Sequence, residues 1–256
     1  MQVVMIGAGN MATVFVKVLL ANNYEIVQVY SRTKESALQL ASIAGCRYTS
    51  LMGELVLDAD IYIIAVSDDA IENIASQLRV KNKLVIHTAG PVTKNLLSTS
   101  SENYGVLWPI KMIRKNMSDF GSVPVAIDAS NDISFAEVKK LASCISENIF
   151  EADDAKRLHL HVLAAVTTNF TNHLYTLAYQ YAKDQGIDFS LFYPIIKDAA
   201  VAIQQVDPAA LQAGPAFRGN LATIEKHKLL LLHHDALLHI YNLFTKSIMD
   251  MYVNKK

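Results

Sequence analysis

One stretch near the start of the chain limits the folds open to it. An apolar run, Val3-Val4-Met5-Ile6, leads without a break into Gly7-Ala8-Gly9-Asn10-Met11-Ala12, and an amphipathic stretch follows. A strand that opens through G-x-G-x-x-A into a helix is the turn that receives a pyrophosphate. Gly7 permits the tight exit from the strand. Gly9 removes a Cβ that would collide with the anion, and Ala12 keeps the helix close to the sheet. The helix start offers unpaired N–H groups and the positive end of a dipole. Ala8, Asn10 and Met11 complete the turn and belong to the same expected binding surface.

The next residues extend this pattern. Ile26–Tyr30 reads as a second strand and Lys34–Ala44 as a helix. A short segment at Arg47–Thr49, a β-branched strand at Ile61–Val66, a helix at Asp69–Leu78 and a strand at Lys83–His87 come after. Tyr104–Trp108 and Val123–Ile127 look like further strands, Ile133–Glu147 like a helix, and Ile149–Glu151 like an edge strand. Apolar strands alternating with amphipathic helices predict an α/β fold, a doubly wound, mostly parallel sheet of the Rossmann type.

From about Asp153 the texture changes. Residues 154–183 hold no proline or glycine, Phe189–Gln205 has helical spacing with Pro194 in its first turn or at a kink, and Leu221–Val253 reads as helix in one or two pieces. Two domains are expected: 1–152 for the coenzyme, and an all-α domain, 153–256, for substrate and dimer contacts.

The coenzyme's identity is read at the end of the second strand. Enzymes that use NAD place an acidic residue about 20 residues beyond the glycines, where it binds both ribose hydroxyls. Here Ser31 and Arg32 stand there, with Lys34 close by. A guanidinium attracts a 2′-phosphate that a carboxylate would repel, so NADP is expected. The alternative is that Arg32 and Lys34 are solvated residues at a helix start. Other strand ends add Val66-Ser67 and His87-Thr88-Ala89-Gly90. Ser67 and Thr88 suit hydrogen bonds to ribose or carboxamide, and Ala89 and Gly90 allow close approach of a ring. Ser67 equally suits a helix N-cap. His87 could transfer a proton or be a buried, hydrogen-bonded histidine.

In the second half, Asn169 and His173 are four apart and share a helix face. They read either as a polar stripe over the nicotinamide, orienting or protonating a substrate, or as an interhelical network or a solvated face. Arg218, in a turn before a helix, and Lys111, after Trp108-Pro109, are candidates for holding a substrate carboxylate. No three of the eight histidines have zinc-ligand spacing, so no metal is expected. A net charge of −1 with no basic run speaks against nucleic acid and anionic membranes. No apolar run reaches membrane-spanning length, and the N-terminus lacks a signal-peptide pattern. Two distant cysteines suit a reducing compartment. A cytoplasmic location is expected.

Taken together, Gly7–Ala12, Ala65-Val66-Ser67-Asp68, His87–Gly90, Gly105–Pro109, Asn169–Leu174 and Gly214–Arg218 resemble, in that order and over nearly the whole chain, a family of Rossmann-like NADP oxidoreductases with a C-terminal domain of unknown function. That family is similar to pyrroline-5-carboxylate reductases, deazaflavin-dependent NADP reductases and the 6-phosphogluconate and β-hydroxyacid dehydrogenases. The resemblance implies an NADP-dependent oxidoreductase acting on a small molecule, with the helical domain building a homodimer. One departure bears on chemistry. The β-hydroxyacid dehydrogenases carry a lysine one turn before the asparagine that Asn169 would match, and here that turn holds Ala164 and Ala165. Imine reduction needs less acid help than carbonyl chemistry, which favours a reductase of the pyrroline-carboxylate kind. A regulator that binds NADP without turnover and a deazaflavin-dependent reductase are the alternatives.

Overall fold

The computed structural model describes residues 1–254. Eight strands form one sheet in the order β3-β2-β1-β4-β5-β6-β7-β8. They are β1 (Gln2–Ile6), β2 (Glu25–Tyr30), β3 (Arg47–Thr49), β4 (Ile61–Ile64), β5 (Leu84–His87), β6 (Tyr104–Pro109), β7 (Val125–Ala129) and β8 (Ile149–Glu151). Strands β1 to β6 run parallel, β7 is antiparallel to β6, and β8 is parallel to β7. The order reverses at β1. Its chain continuation goes to β2 on one side, while β4 lies on the other, with Met5 opposite both Val29 and Ile63. This is the doubly wound sheet expected from the alternating pattern.

The helices interleaved with these strands are α1 (Asn10–Ala21), α2 (Lys34–Ala44), α3 (Ile71–Gln77) and α4 (Asp132–Ser143). Both faces of the sheet are covered. Val3, Met5, Ile61 and Ile63 join α1 and α4 in one cluster, while Val4, Ile6, Tyr62 and Ile64 join α3 in another. That is why the central strands read as continuous apolar runs. The helices stop where local chemistry says they should. α2 ends on Gly45 in the left-handed conformation, and the Asn131 side chain caps α4 by accepting from the Ser134 N–H.

The chain divides into two compact units, Met1–Thr167 and the residues from Thr168 onward. The change of texture at 152/153 therefore precedes the division between compact units. The intervening helix α5 (Asp154–Ala164) lies in the first unit. A π-helical stretch, Ala165–Phe170, follows it. The second unit holds α6 (Thr171–Asp184), α7 (Tyr193–Ala202), α8 (Leu221–Leu230) and α9 (Asp235–Tyr252). Pro194 sits in the first turn of α7, where its missing N–H costs nothing. The stretch Leu221–Val253 forms two helices, separated at Leu231–His234. Within this unit α6 packs on α9. The Tyr181 and His234 rings meet edge to face at 4.9 Å, and His227 Nδ1 lies 2.9 Å from the Tyr241 hydroxyl. No described helix is long and apolar enough to cross a membrane.

Candidate functional site

A cleft of about 470 Å³ opens at the carboxyl ends of β1 and β4, where the strand order reverses. Its size is that of a small-molecule site, and its position is where doubly wound sheets take ligands. Gly7, Ala8, Gly9, Asn10 and Met11 form its floor, Ser31 and Arg32 one wall, and Val66 and Ser67 another.

Each glycine of the turn has its own reason. Gly7 takes φ +118°, and a Cβ there would strike the carbonyl oxygen of Ala65. Its N–H donates to the Tyr30 carbonyl at 2.8 Å, tying the turn to β2. A Cβ on Gly9 would meet no protein atom within 4 Å, so the space it would occupy belongs to the cleft. Gly9 is also the N-cap of α1, and no side chain caps that helix end. The first-turn N–H groups are thus left for a ligand. Ala12 is wholly buried and lines no part of the cleft, in keeping with a helix–sheet packing role.

Arg32 is exposed on the cleft wall, and no hydrogen bond or ion pair holds its guanidinium among the described residues. Across the cleft, the Ser67 hydroxyl bonds to the Asp69 carboxylate and does most to hold it below the usual range. Local backbone bonds and the charge of Arg32 add to this. Ser67 therefore occupies the N-cap position of the Asp68–Ala70 turn without capping it by its side chain. An uncapped helix start, a vacant Cβ position and an uncommitted guanidinium fit the pyrophosphate and 2′-phosphate of NADP.

Sequence reasoning missed part of this wall. Tyr30, Thr33 and Ala65 line the cleft, as do Ala70, Asn73 and Ile74. The last three stand at i, i+3 and i+4, so the face of the helix after β4 carried the signal. Lys34 is exposed and lies outside the cleft lining.

The loop after β5 differs from expectation. Thr88, Ala89 and Gly90 are nearly buried and do not line this cleft. Gly90 is glycine for a neighbour within the protein: its Cβ would lie 2.6–2.8 Å from the Trp108 indole. His87 is 0% exposed, so its ring presents no surface to a coenzyme. Its Nδ1 accepts from the Ala89 N–H at 3.3 Å, which puts the ring proton on Nε2, and Nε2 has no partner. Burial, and next the charge of Arg157, lower its pKa to about 4. A histidine so held is neutral near pH 7 and serves poorly as an acid.

Arg157, on α5, organises this region and carried no local signal. Although charged, it is 0% exposed. Its guanidinium donates to Asp128 Oδ2 at 2.9 Å, to the carbonyls of Gly90, Val92 and Ala152 at 3.2, 3.0 and 2.8 Å, and to Asp154. Lys94 adds a 2.5 Å bond to Asp128 Oδ1, and the Thr93 hydroxyl donates to Asp154. Burial pushes the Asp154 carboxyl up, but the Thr93 and Arg157 bonds outweigh it and the net shift is downward.

Lys111 is also engaged within the protein. Its ammonium donates to the Phe120 carbonyl at 2.6 Å, closing the loop after β6. That loop is tied to α1 by Asn10, which donates to the Ile113 carbonyl, and by Lys17, which donates to the Lys115 and Met117 carbonyls. In the second unit, Asn169 lies in the π-helical stretch, its Oδ1 accepting from the Thr168 hydroxyl at 3.1 Å. His173 and Arg218 are exposed, on α6 and in the turn before α8.

Residues 2–91 match the family model described as NADP oxidoreductase, coenzyme F420-dependent, and residues 123–248 match a domain of unknown function, DUF2520. No curated protein matches the chain. Among solved structures, a candidate NADP oxidoreductase from Bacteroides fragilis is 35% identical over 97% of this chain and 98% of its own, with a TM-score of 0.91. An imine reductase from Myxococcus stipitatus, in complex with NADP+, shares 14% identity over 98% of this chain and 93% of its own, with a TM-score of 0.67. A 1-pyrroline-5-carboxylate reductase from Streptococcus pyogenes shares 15% identity over 98% of both chains, with a TM-score of 0.64. The last two likenesses are of fold.

Proposed function

The chain belongs to the family of Rossmann-like NADP oxidoreductases with a DUF2520 domain, and on that premise we propose that it reduces small imines or carbonyl compounds bearing a carboxylate, with NADPH as donor. The observation that carries the coenzyme half of this reading is the cleft at the β1/β4 switch, with its uncapped helix and uncommitted Arg32. Gly7–Met11 would hold the pyrophosphate, and Ser31 and Arg32 the 2′-phosphate. Bound NADPH supplies a hydride from its nicotinamide ring.

The substrate half rests on residue chemistry. No lysine stands in the turn before Asn169, whose place Ala165 takes. An imine nitrogen is more basic than a carbonyl oxygen, so the proton that makes it electrophilic need not come from a lysine. Asn169 and His173 would orient the substrate. Arg218 would pair with its carboxylate in preference to Lys111, whose ammonium already bonds Phe120.

A homodimer belongs to the same reading. Among the described residues of the second unit the buried apolar side chains are few, namely Ala182, Ala216, Ile224 and Leu231, whereas Leu191, Ile195, Leu229 and Leu230 are exposed. Apolar surface of that extent marks an interface.

The test is to titrate the purified chain with NADPH and NADH, then to measure NADPH oxidation with cyclic imines and 2-oxo acids. NADPH should bind more tightly. Arg32→Glu should weaken NADPH about 10- to 100-fold, ~1.4–2.7 kcal/mol, while sparing NADH. Equal affinity of the parent chain for both coenzymes would remove Arg32 from the scheme.

A further inference from the structure

We propose that His161 is a proton donor of this reductase, facing substrate at the carboxyl edge of the sheet beside Trp108. The inference rests on the reductase reading above and names a residue for its unfilled acid role.

Position is the first support. Strand β6 runs parallel to β5 and ends in Trp108 and Pro109, so the indole lies at the carboxyl edge, where ligands of such sheets gather. The His161 ring rests against the indole, centroids 5.9 Å apart and planes tilted by 53°. The course of α5 agrees. Arg157 grips Asp128, which pairs with Val106, two residues below Trp108. His161 is one turn further on, ~6 Å along the axis at 1.5 Å per residue, and so lies nearer that edge.

The state of the ring is the second support. His161 is half-buried, and neither ring nitrogen has a hydrogen-bond partner among the described residues. Contact with the indole positions the imidazole, and no hydrogen bond occupies either nitrogen. The other histidines of the first unit do not share this state. His87 is sealed in and neutral near pH 7, and His159 is exposed, about 200° around the helix from His161.

The step balances. The imidazolium gives its ring proton to the imine nitrogen, and the C=N π electrons become that new N–H bond as hydride reaches the carbon. The neutral imidazole left behind regains a proton from solvent, which half-exposure permits.

The test uses the whole chain and two variants, His161→Gln and His161→Phe, the second keeping the ring on Trp108. The ring resonances of His161, identified by their loss in either variant, are followed by NMR as NADP+ is added. Reduction is then compared between cyclic imines carrying a carboxylate and their N-methyl iminium counterparts, which are already charged and need no proton. The expected result is a shift of the His161 ring signals on adding NADP+, with NADP+ affinity within about threefold of the parent in both variants. Imine reduction should fall ~10²- to 10⁴-fold, and N-methyl iminium reduction should be kept. Unmoved ring signals, or an equal loss for both substrate types, would overturn the inference and leave the reductase reading standing. A parent chain that reduces neither type would sink both.

Discussion

The two compact units handle apolar surface in opposite ways. In the first, β4, β5 and all of β1 except Gln2 are buried, and even the Arg157 guanidinium is carried inside. In the second, α7 and α9 contain no buried residue, and large side chains such as Leu191 and Ile195 face outward at 67% and 63% exposure. Both sequences are rich in apolar residues, so composition does not separate them. A sheet covered on both faces provides its own core, whereas a few amphipathic helices leave stripes that something else must cover. The first unit is thus a self-sufficient scaffold for the cleft, and the second leaves apolar side chains such as Leu191 and Ile195 exposed, which the proposed homodimer would cover.

The strongest way to break this contrast is at Arg157. Arg157→Met leaves the buried Asp128 and the partly exposed Asp154 without their guanidinium. Losing one partner of such a pair costs about 3–5 kcal/mol, toward the low end here because Lys94 still bonds Asp128. Urea unfolding should show the loss. An effect below about 1 kcal/mol would mean that the first unit does not rely on its buried charges.

Acid should strain the same unit next. His87 holds a pKa near 4 when folded, against 6.5 when unfolded. The unfolded chain therefore takes up the proton first. Stability is whole above pH 6.5 and declines as the pH falls toward 4, by up to ~3 kcal/mol. His87→Gln should flatten that slope, and an unchanged slope would relocate its origin. Asp154, whose pKa is lowered, loses its contribution at still lower pH.

A smaller effect is expected at Gly90. Gly90→Ala drives a methyl group into the Trp108 indole, an overpacking of about 1–3 kcal/mol. Trp108 is the chain's single tryptophan, so the emission spectrum of the folded variant should move. An unperturbed spectrum would show that the loop yields instead of the ring.

The smallest change in intrinsic stability tests the other half. Ile195→Glu and Leu229→Glu replace exposed side chains, worth within about 0.5 kcal/mol in an isolated chain. Sedimentation should nevertheless show the parent as a dimer and the variants as monomers. A parent that stays monomeric would remove the partner surface from the contrast.

Much of this was legible in the sequence because it is local. The G-x-G-x-x-A turn, the alternation of strand and helix, the helix stops and Arg32 after β2 depend on neighbours a few residues apart, where dihedral limits and periodicity act. The boundaries of α2, Lys34–Ala44, came out as the pattern implied. Folding in three dimensions decided the rest, through contacts between distant segments. Gly90 answers to Trp108, Lys111 to Phe120, and Arg157 to Gly90, 67 positions earlier. A hydrogen bond across that separation leaves no periodic trace in the chain, since geometry alone brings its two ends together. The same reason hid the indole under His161.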